Sequence, residues 1–327
     1  MKERKLAVYL LVVLAVSIVA LYWFGHEHFE EVPVDMRFCM SPGQSVRMRI
    51  TENVDLKEEG YMGTIIRCES RLDCTMKCLE VEQDGVMRVQ QKWDSGAIKG
   101  VGPKGRFEYD SLLHPGMGPL EARRLAKLVG NSIEARIKPS GEILELWDGE
   151  VIAGAMMSEK GVRKSNIGVE VYELLRTEIV AGVWQSREHL FDAVLRSYPE
   201  SEVAVSEQWT TLGQAFATRS GLEEIIFTYK GIKEGCACFD LICSVSAGSD
   251  MLESLASPAM NVESRLEGTG VGIAEMDVQT GLFTKVQVNM DWVIMGKSQL
   301  FGLADMKKSK KITGSSVATL EMLPSNW

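Results

Sequence analysis

Residues 279–295, QTGLFTKVQVNMDWVIM, show the pattern on which the fold of this chain depends. From Leu282 to Ile294, six of the seven even-numbered positions are apolar, whereas the odd-numbered positions include lysine, glutamine, asparagine and aspartate. A repeat of two residues is typical of a β-strand that buries one face and exposes the other. The stretch therefore predicts a long strand in an antiparallel sheet.

The glycine that precedes this strand determines how the strand pairs. If Gln279-Thr280-Gly281 is a three-residue loop with its glycine in the left-handed conformation, Val278 lies opposite Leu282 and Ala274 lies opposite Val286. Apolar residues then face apolar residues across the two strands. The pattern therefore predicts an antiparallel hairpin with this turn.

A similar loop occurs earlier in the chain. Pro139-Ser140-Gly141 joins two partly apolar stretches, and a three-residue loop there sets Ile137 against Ile143 and Ile133 against Trp147. A cysteine-bearing β stretch precedes each of the two loops. This recurrence predicts two related antiparallel β units, with chance similarity between two amphipathic hairpins as the alternative.

The amino terminus has a different composition. Leu6–Phe24, LAVYLLVVLAVSIVALYWF, contains no charged residue and would be about 28 Å long as a helix, which matches the apolar thickness of a bilayer. Lys2, Arg4 and Lys5 precede it, and acidic residues follow it. We therefore expect an uncleaved signal-anchor in the inner membrane, with the rest of the chain outside the cytoplasm. A cleaved secretory signal is the alternative.

The expected fold class is α+β. A transmembrane helix (residues 1–24) and a juxtamembrane linker (25–44) would precede a first β unit with one helix (45–165), a helical connector (166–200) and a second β unit (201–327). A half-barrel is one arrangement open to the two antiparallel units.

Two further segments have recognisable local patterns. The glycines and the proline of residues 95–109 predict a long loop or an irregular edge. Pro119 opens a stretch with an apolar stripe that Gly130 closes, which predicts the helix of the first β unit.

Because the chain has seven cysteines, at least one thiol stays unpaired in any set of disulfides within the monomer. Cys68 and Cys74 flank residues 69–73, a candidate hairpin turn, and a disulfide between them is one interpretation; small buried hydrophobic thiols are the other. Cys236-Ala-Cys238 has no second spaced pair and no nearby histidine, so we expect no metal site.

Charge and motifs exclude several functions. The chain has 36 basic and 45 acidic residues, which argues against nucleic acid as a partner. Gly268-Thr-Gly270-Val-Gly272 lacks the strand-before and helix-after context of a dinucleotide fingerprint. Asp110-Ser111-Leu112-Leu113-His114 contains the residue types of a hydrolytic triad but is expected to form a turn, since triads come from separated loops. No cofactor is predicted, and a hydrolase with an unrecognised site is a minor alternative.

Several turn residues carry a resemblance. Leu128-Val129-Gly130, Pro139-Ser140-Gly141-Glu142, Tyr198-Pro199 and the run from Val203 to Trp209 resemble a family of exported, membrane-anchored bacterial β-rich proteins of unknown function. The resemblance covers roughly residues 60–295. Where its pattern has a glycine before Trp209, this chain has Ser206. It implies no activity and no cofactor.

The function expected from these patterns is binding. We expect a membrane-tethered extracytoplasmic binding or scaffold protein of the bacterial envelope, with an envelope protein as a partner. A carrier of an apolar ligand or lipid is the alternative, in which four tryptophans near strand ends line a cavity. Tryptophans that fill an ordinary core are the competing interpretation. These four are Trp93, Trp147, Trp209 and Trp292.

Overall fold

A computed structural model describes residues 29–58, 64–102, 105–114, 123–147, 198–199, 201–214, 222–247, 264–296 and 310–324. These residues form twelve strands that all belong to one antiparallel sheet. The strands are β1 (Ser45–Glu58), β2 (Thr64–Val81), β3 (Met87–Gly102), β4 (Gly105–Asp110), β5 (Ser132–Ile137), β6 (Ile143–Trp147), β7 (Gln208–Gln214), β8 (Leu222–Lys233), β9 (Cys236–Ala247), β10 (Ser264–Asp277), β11 (Phe283–Gly296) and β12 (Lys310–Leu323).

The sheet is open, with the order β6-β5-β3-β2-β1-β12-β11-β10-β9-β8-β7, and β4 pairs with β3 beside this path. Each half of the chain contributes one side, and the two sides meet where β1 pairs with β12. The first and last strands are therefore neighbours at the centre of the sheet.

Both predicted hairpins are present, and one of the two predicted loops is confirmed. Gly141 has a φ of 79°, the N–H of Lys138 donates to the carbonyl oxygen of Glu142, and Ile137 pairs with Ile143, which gives the three-residue loop. At the other hairpin Gly281 has a φ of 67° and Ala274 pairs with Val286. The predicted pairing of Val278 with Leu282 is wrong, because the register shifts between Glu275 and Met276 and the N–H of Asp277 donates to the carbonyl oxygen of Leu282, which leaves a four-residue loop.

The sheet is strongly curved. The backbone N–H of Phe38 donates to the carbonyl oxygen of Pro139 and that of Cys39 donates to the carbonyl oxygen of Thr280, both at 2.8 Å. The two turns that contain Pro139 and Thr280 are six strand steps apart in the sheet, which would be about 29 Å in a flat sheet. Because the adjacent residues Phe38 and Cys39 each bond to one of these turns, the two turns must lie close together. The sheet is therefore bent.

Glycines at two central positions permit this bending. A Cβ atom added to Gly100 in β3 would collide with the carbonyl oxygen of Arg67, and one added to Gly314 in β12 would collide with that of Asp55. Only a residue without a side chain allows neighbouring backbones to approach so closely.

One face of the curved sheet carries the core, and we call it the inward face. Its buried side chains form one continuous cluster from β2, β3 and β5 to β8 and β9. Residues 34–40 cross the end of the sheet and insert Met36, Phe38 and Met40 into this cluster. The predicted linker 25–44 is thus, in its described part, a component of the core.

The expected α+β fold class is wrong for the described residues. Their only helix is α1 (Arg123–Leu128), a six-residue helix that lies over β3, where Gly96 leaves room for Leu125. The predicted loop 95–109 instead continues β3 and forms β4, because its glycines serve the close strand contacts of a bent sheet.

The membrane prediction is corrected as well. Within the described residues, no helix is long and apolar enough to cross a membrane. The single-pass inner-membrane topology is therefore not supported by the structure. The anchor expected at residues 1–24 lies outside the described residues, and so does the helical connector 166–200 except for Tyr198 and Pro199.

Candidate ligand-binding face

The inward face is apolar along most of the central strands. On β1, Met48, Ile50, Glu52, Val54 and Leu56 point to this face, because side chains alternate along a strand and Met48 is buried in the core. Glu52 interrupts the apolar row. The residues that pair with Glu52 across the sheet are Ser70 and Ala318.

The Glu52 carboxyl is half-buried, and within the described chain it makes no hydrogen bond or ion pair. Burial raises its pKa from 4.5 to about 7, because the charged form loses hydration without gaining a partner. Burial also raises the pKa of the neighbouring Cys68 thiol, and the Glu52 carboxyl adds to that rise. Glu52 is therefore a carboxyl that ionises near neutral pH.

A cavity of about 350 Å³ lies on the strands β12, β1, β2 and β3, each of which contributes three consecutive residues. The middle residues, Val54, Cys68, Gly100 and Ser316, belong to the inward face, so the flanking side chains point to the outer face and surround the cavity there. The lining residues are Asn53, Val54, Asp55, Arg67, Cys68, Glu69, Lys99, Gly100, Val101, Ser315, Ser316 and Val317.

The charged residues of this cavity form two ion pairs. Arg67 Nη2 lies 2.7 Å from Asp55 Oδ2, and Lys99 Nζ lies 3.0 Å from Glu69 Oε2. Both pairs join neighbouring strands, because Asp55 faces Arg67 and Glu69 faces Lys99 in the register. The lining charges therefore cancel.

Trp292 and Trp209 both contribute to the core. The indole Nε1 of Trp292 donates to Ser316 Oγ at 2.7 Å, which connects this tryptophan to the cavity lining. The ring of Trp209 stacks on Phe227 with centroids 4.8 Å apart and meets Phe239 edge-on at 5.4 Å. The Nε1 of Trp209 is buried and has no hydrogen-bond partner among the described residues.

Trp93 and its neighbour Gln91 are fully buried in β3. Within the described chain, neither the Nε1 of Trp93 nor either polar atom of the Gln91 side chain has a hydrogen-bond partner. Gln91 pairs with Met76 on one side and Ile133 on the other, so its surroundings are apolar. Such groups are rare in protein cores because each lost hydrogen bond is costly.

Trp147 lies on the opposite face of the sheet. The expected pairing with Ile133 is wrong, because an irregularity between Arg136 and Ile137 shifts the register and sets Trp147 against Glu134. A shift of one residue turns a side chain to the other face. There the guanidinium of Arg88 lies 5.4 Å from the centroid of the indole ring. Three of the four predicted tryptophans thus share the inward face, and ligand binding by them stays a prediction.

The suggested disulfide does not fit the structure. Cys68 and Cys74 lie on the single continuous strand β2, where six residues span about 20 Å. No turn occurs at residues 69–73, so the two thiols cannot meet. Cys68 and Cys74 are both free thiols.

No catalytic arrangement is present among the described residues. Asp110 ends β4, and its carboxylate accepts a hydrogen bond of 2.9 Å from the backbone N–H of Leu112, as a turn-forming aspartate does. Ser111 Oγ accepts the N–H of Gly96 at 2.9 Å. The described residues contain no group of three potential metal ligands. Gly268, Gly270 and Gly272 lie within β10, which is not a phosphate-binding loop.

Sequence reasoning missed Glu52 and Gln91. Glu52 could have been recognised from the sequence, since it is the only acidic residue in an alternating row that is otherwise apolar. Gln91 carries none, because a bulge between Asp73 and Cys74 sets which residues of β3 face the core.

Comparisons with known proteins add a family but no function. No curated protein matches the sequence. A structure of lipovitellin that concerns its lipid–protein interactions matches 87% of this chain with 9% identity and a TM-score of 0.39, and this chain spans 25% of the lipovitellin chain. The outer membrane protein OmpT of Vibrio cholerae matches 86% of this chain and 100% of its own, with 5% identity and a TM-score of 0.14. At these TM-scores neither similarity bears on fold or ligand.

Residues 84–283 match the family of unknown function DUF6263, which is more than half of the chain. The match confirms the expected likeness to a family of unknown function and contains no statement about export or membrane anchoring. The chain therefore belongs to the family DUF6263.

Proposed function

We propose that this protein is a non-catalytic binding protein that holds an apolar small molecule against the central strands of its sheet. The observation that carries the proposal is the cavity of about 350 Å³ on these four strands. Ligand pockets of proteins are typically of this size and combine apolar walls with a few polar groups. Val101 and Val317 supply apolar side chains here, and Asn53 and Ser315 supply polar ones.

An unpartnered polar atom supports a ligand. Asp55, which lines the cavity, buries its Oδ1 without a hydrogen-bond partner in the described chain. Such a group costs about 1–3 kcal/mol, so a surface built for stability alone would replace it. A binding site tolerates this cost because it keeps polar groups available.

The experiment measures binding of N-phenyl-1-naphthylamine, an uncharged apolar dye, to the full-length protein by fluorescence. We expect saturable binding. Val317→Phe fills the cavity and should abolish dye binding, whereas Val317→Ala enlarges the cavity and should retain dye binding. Urea unfolding of both variants shows whether each is folded.

Two results would count against the proposal. One is the absence of saturable binding to the wild-type protein. The other is equal binding by folded Val317→Phe and Val317→Ala, since the dye would then lie outside this cavity. Trp147→Ala is the control, because Trp147 lies on the edge strand β6 and does not line the cavity, and this variant should bind the dye like the wild type.

A scaffold function is the second candidate, and one surface favours it. Val271 is 62% exposed, its cross-strand partner Ile242 is 53% exposed, and Ile273 is 43% exposed. Together they form an apolar strip on the outer face of β9 and β10, and such strips occur at protein interfaces. If this strip mediates self-association, Val271→Ser should lower the sedimentation coefficient. A wild-type protein that sediments as a monomer at all concentrations would exclude self-association.

A further inference from the structure

We propose that Asp55 accepts a hydrogen bond from the ligand, and that the ligand is an uncharged alcohol. This inference rests on the proposed function, because it requires a ligand in the cavity on the central strands. It adds the chemical class of the ligand's polar end and the residue that recognises it.

The unused carboxylate oxygen of Asp55 is the first step. Arg67 donates twice to Asp55 Oδ2, from Nε at 3.2 Å and from Nη2 at 2.7 Å. The other oxygen, Oδ1, is buried and accepts no hydrogen bond from the described chain. Hydrogen bonds to an ionised carboxylate are stronger than those between neutral groups. The cavity lining therefore contains a strong acceptor that lacks a donor.

The neighbours of Asp55 allow a ligand to reach this oxygen. Ser315 is the cross-strand partner of Asp55. Val317 pairs with Asn53 and so lies diagonally across from Asp55. Directly opposed side chains are about 5 Å apart in an antiparallel pair, and diagonal ones are about 7–8 Å apart. A ligand whose apolar part contacts Val317 can therefore place a polar group between Asp55 and Ser315.

The charge balance disfavours an ionised polar end. Within the lining, Asp55 pairs with Arg67, and Glu69 pairs with Lys99. A cationic ligand would add an unbalanced positive charge beside Arg67 and Lys99. A carboxylate ligand would place a second negative charge against Asp55, which like charges disfavour. An uncharged polar end avoids both costs.

Hydrogen bonding narrows the class to alcohols. Asp55 Oδ1 requires a donor, and ethers, esters and ketones cannot supply one because they only accept. A hydroxyl donates its proton, and its oxygen can at the same time accept from the hydroxyl of Ser315. The two side chains that an alcohol needs are thus neighbours across β1 and β12.

The experiment displaces bound N-phenyl-1-naphthylamine from the full-length protein at pH 7 with decan-1-ol, its isomer methyl nonyl ether, or decylamine, each below the concentration at which it aggregates. We expect decanol to displace the dye at a concentration about tenfold lower than the ether, because only the alcohol donates to Asp55. Decylamine, which is a cation at this pH, should be weaker than decanol.

In Asp55→Asn the advantage of the alcohol over the ether should disappear. The guanidinium of Arg67 has only donors, so the amide oxygen of the variant faces Arg67 and its NH2 group takes the place of Oδ1. An NH2 group donates equally to an alcohol and an ether. Asp291→Asn is the matched control and should keep the wild-type preference. Asp291 is an exposed carboxylate on β11 that pairs with Ser315 and does not line the cavity.

Two outcomes would overturn the assignment of Asp55 while the binding function stands. One is equal displacement by alcohol and ether in the wild type, and the other is an alcohol preference that persists in Asp55→Asn, whose folding urea unfolding verifies. Stronger displacement by decylamine than by decanol would overturn the uncharged class. Absence of dye binding to the wild type would instead overturn the proposed function, so these failures are distinguishable.

Discussion

The phenol of Tyr198 donates a hydrogen bond of 2.6 Å to the carbonyl oxygen of Gly281. The backbone N–H of the same tyrosine donates to the carbonyl oxygen of Ser140 at 3.1 Å. Tyr198 thus connects two turns that lie on strands six steps apart in the sheet. Burial raises the pKa of its phenol well above the usual value, so the group stays neutral. It closes the bent sheet at the end where residues 34–40 insert.

Tyr198→Phe should lower the free energy of unfolding by about 1–2 kcal/mol, because it removes one buried hydrogen bond and leaves a carbonyl unsatisfied. Urea unfolding measures the change. Tyr229→Phe provides a comparison, since its hydroxyl donates to the carbonyl oxygen of Val32 at 2.8 Å. A Tyr198→Phe protein as stable as the wild type would show that the hydrogen bond does not hold the turns together.

Gly281→Ala should destabilise the protein more than Gly43→Ala does. Both glycines have positive φ values, 67° and 82°, so alanine is strained by about 1 kcal/mol at either position. The added Cβ at Gly281 also collides with the carbonyl oxygen of Arg37, whereas Gly43 has open space around it. Equal loss of stability in chemical denaturation would mean that residues 34–40 do not pack against this turn.

Ser206→Gly should stabilise the protein by about 0.5–1 kcal/mol. Ser206 has a φ of 70°, which is unfavourable for a residue with a side chain, and glycine adopts it without strain. The resemblance noted from the sequence has glycine at this place in the turn. Thermal unfolding measures the gain, and Ser201→Gly, in an exposed position outside the left-handed region, should give none. A lower melting temperature for Ser206→Gly would contradict this account.

Gln91→Leu should raise the free energy of unfolding by about 1–2 kcal/mol, because it replaces an unsatisfied buried amide with an apolar side chain of similar size. Gln90→Leu is the matched control on the opposite face. There the side chain donates to Glu134 at 3.4 Å, and its removal should bring no gain. If Gln91→Leu were destabilising, the amide of Gln91 would have a partner that the described residues do not supply.

Glu52→Gln should become relatively more stable as the pH rises. In the folded protein Glu52 retains its proton up to about pH 7, whereas an ordinary glutamate loses it near 4.5. The wild type therefore loses stability between these two pH values, and the loss persists above them. For this half-buried group the difference between pH 4.5 and pH 8 should be about 1–3 kcal/mol. Urea unfolding of both proteins at the two pH values measures it, and a constant difference would disprove the raised pKa.

The local sequence pattern was sufficient to predict the two hairpins. Alternating apolar residues from Leu282 to Ile294, with glycine at position 281, specify both the strand and its partner, because a turn of fixed length sets the register of the two strands beside it. The same reasoning located the turn at Gly141 and the close of α1 near Gly130, which has a φ of 85°.

The sequence by itself therefore determined an antiparallel β architecture with its main hairpin turns. Only the tertiary structure decided that the predicted units share one sheet, that residues 34–40 enter the core, and that Trp147 faces away from Trp93. These features depend on contacts between distant residues, on one bulge and on glycines that allow backbones to approach. The cavity on the central strands follows from the pairing of β1 with β12, because a local pattern shows which face a side chain occupies but not how strands from the two chain ends meet.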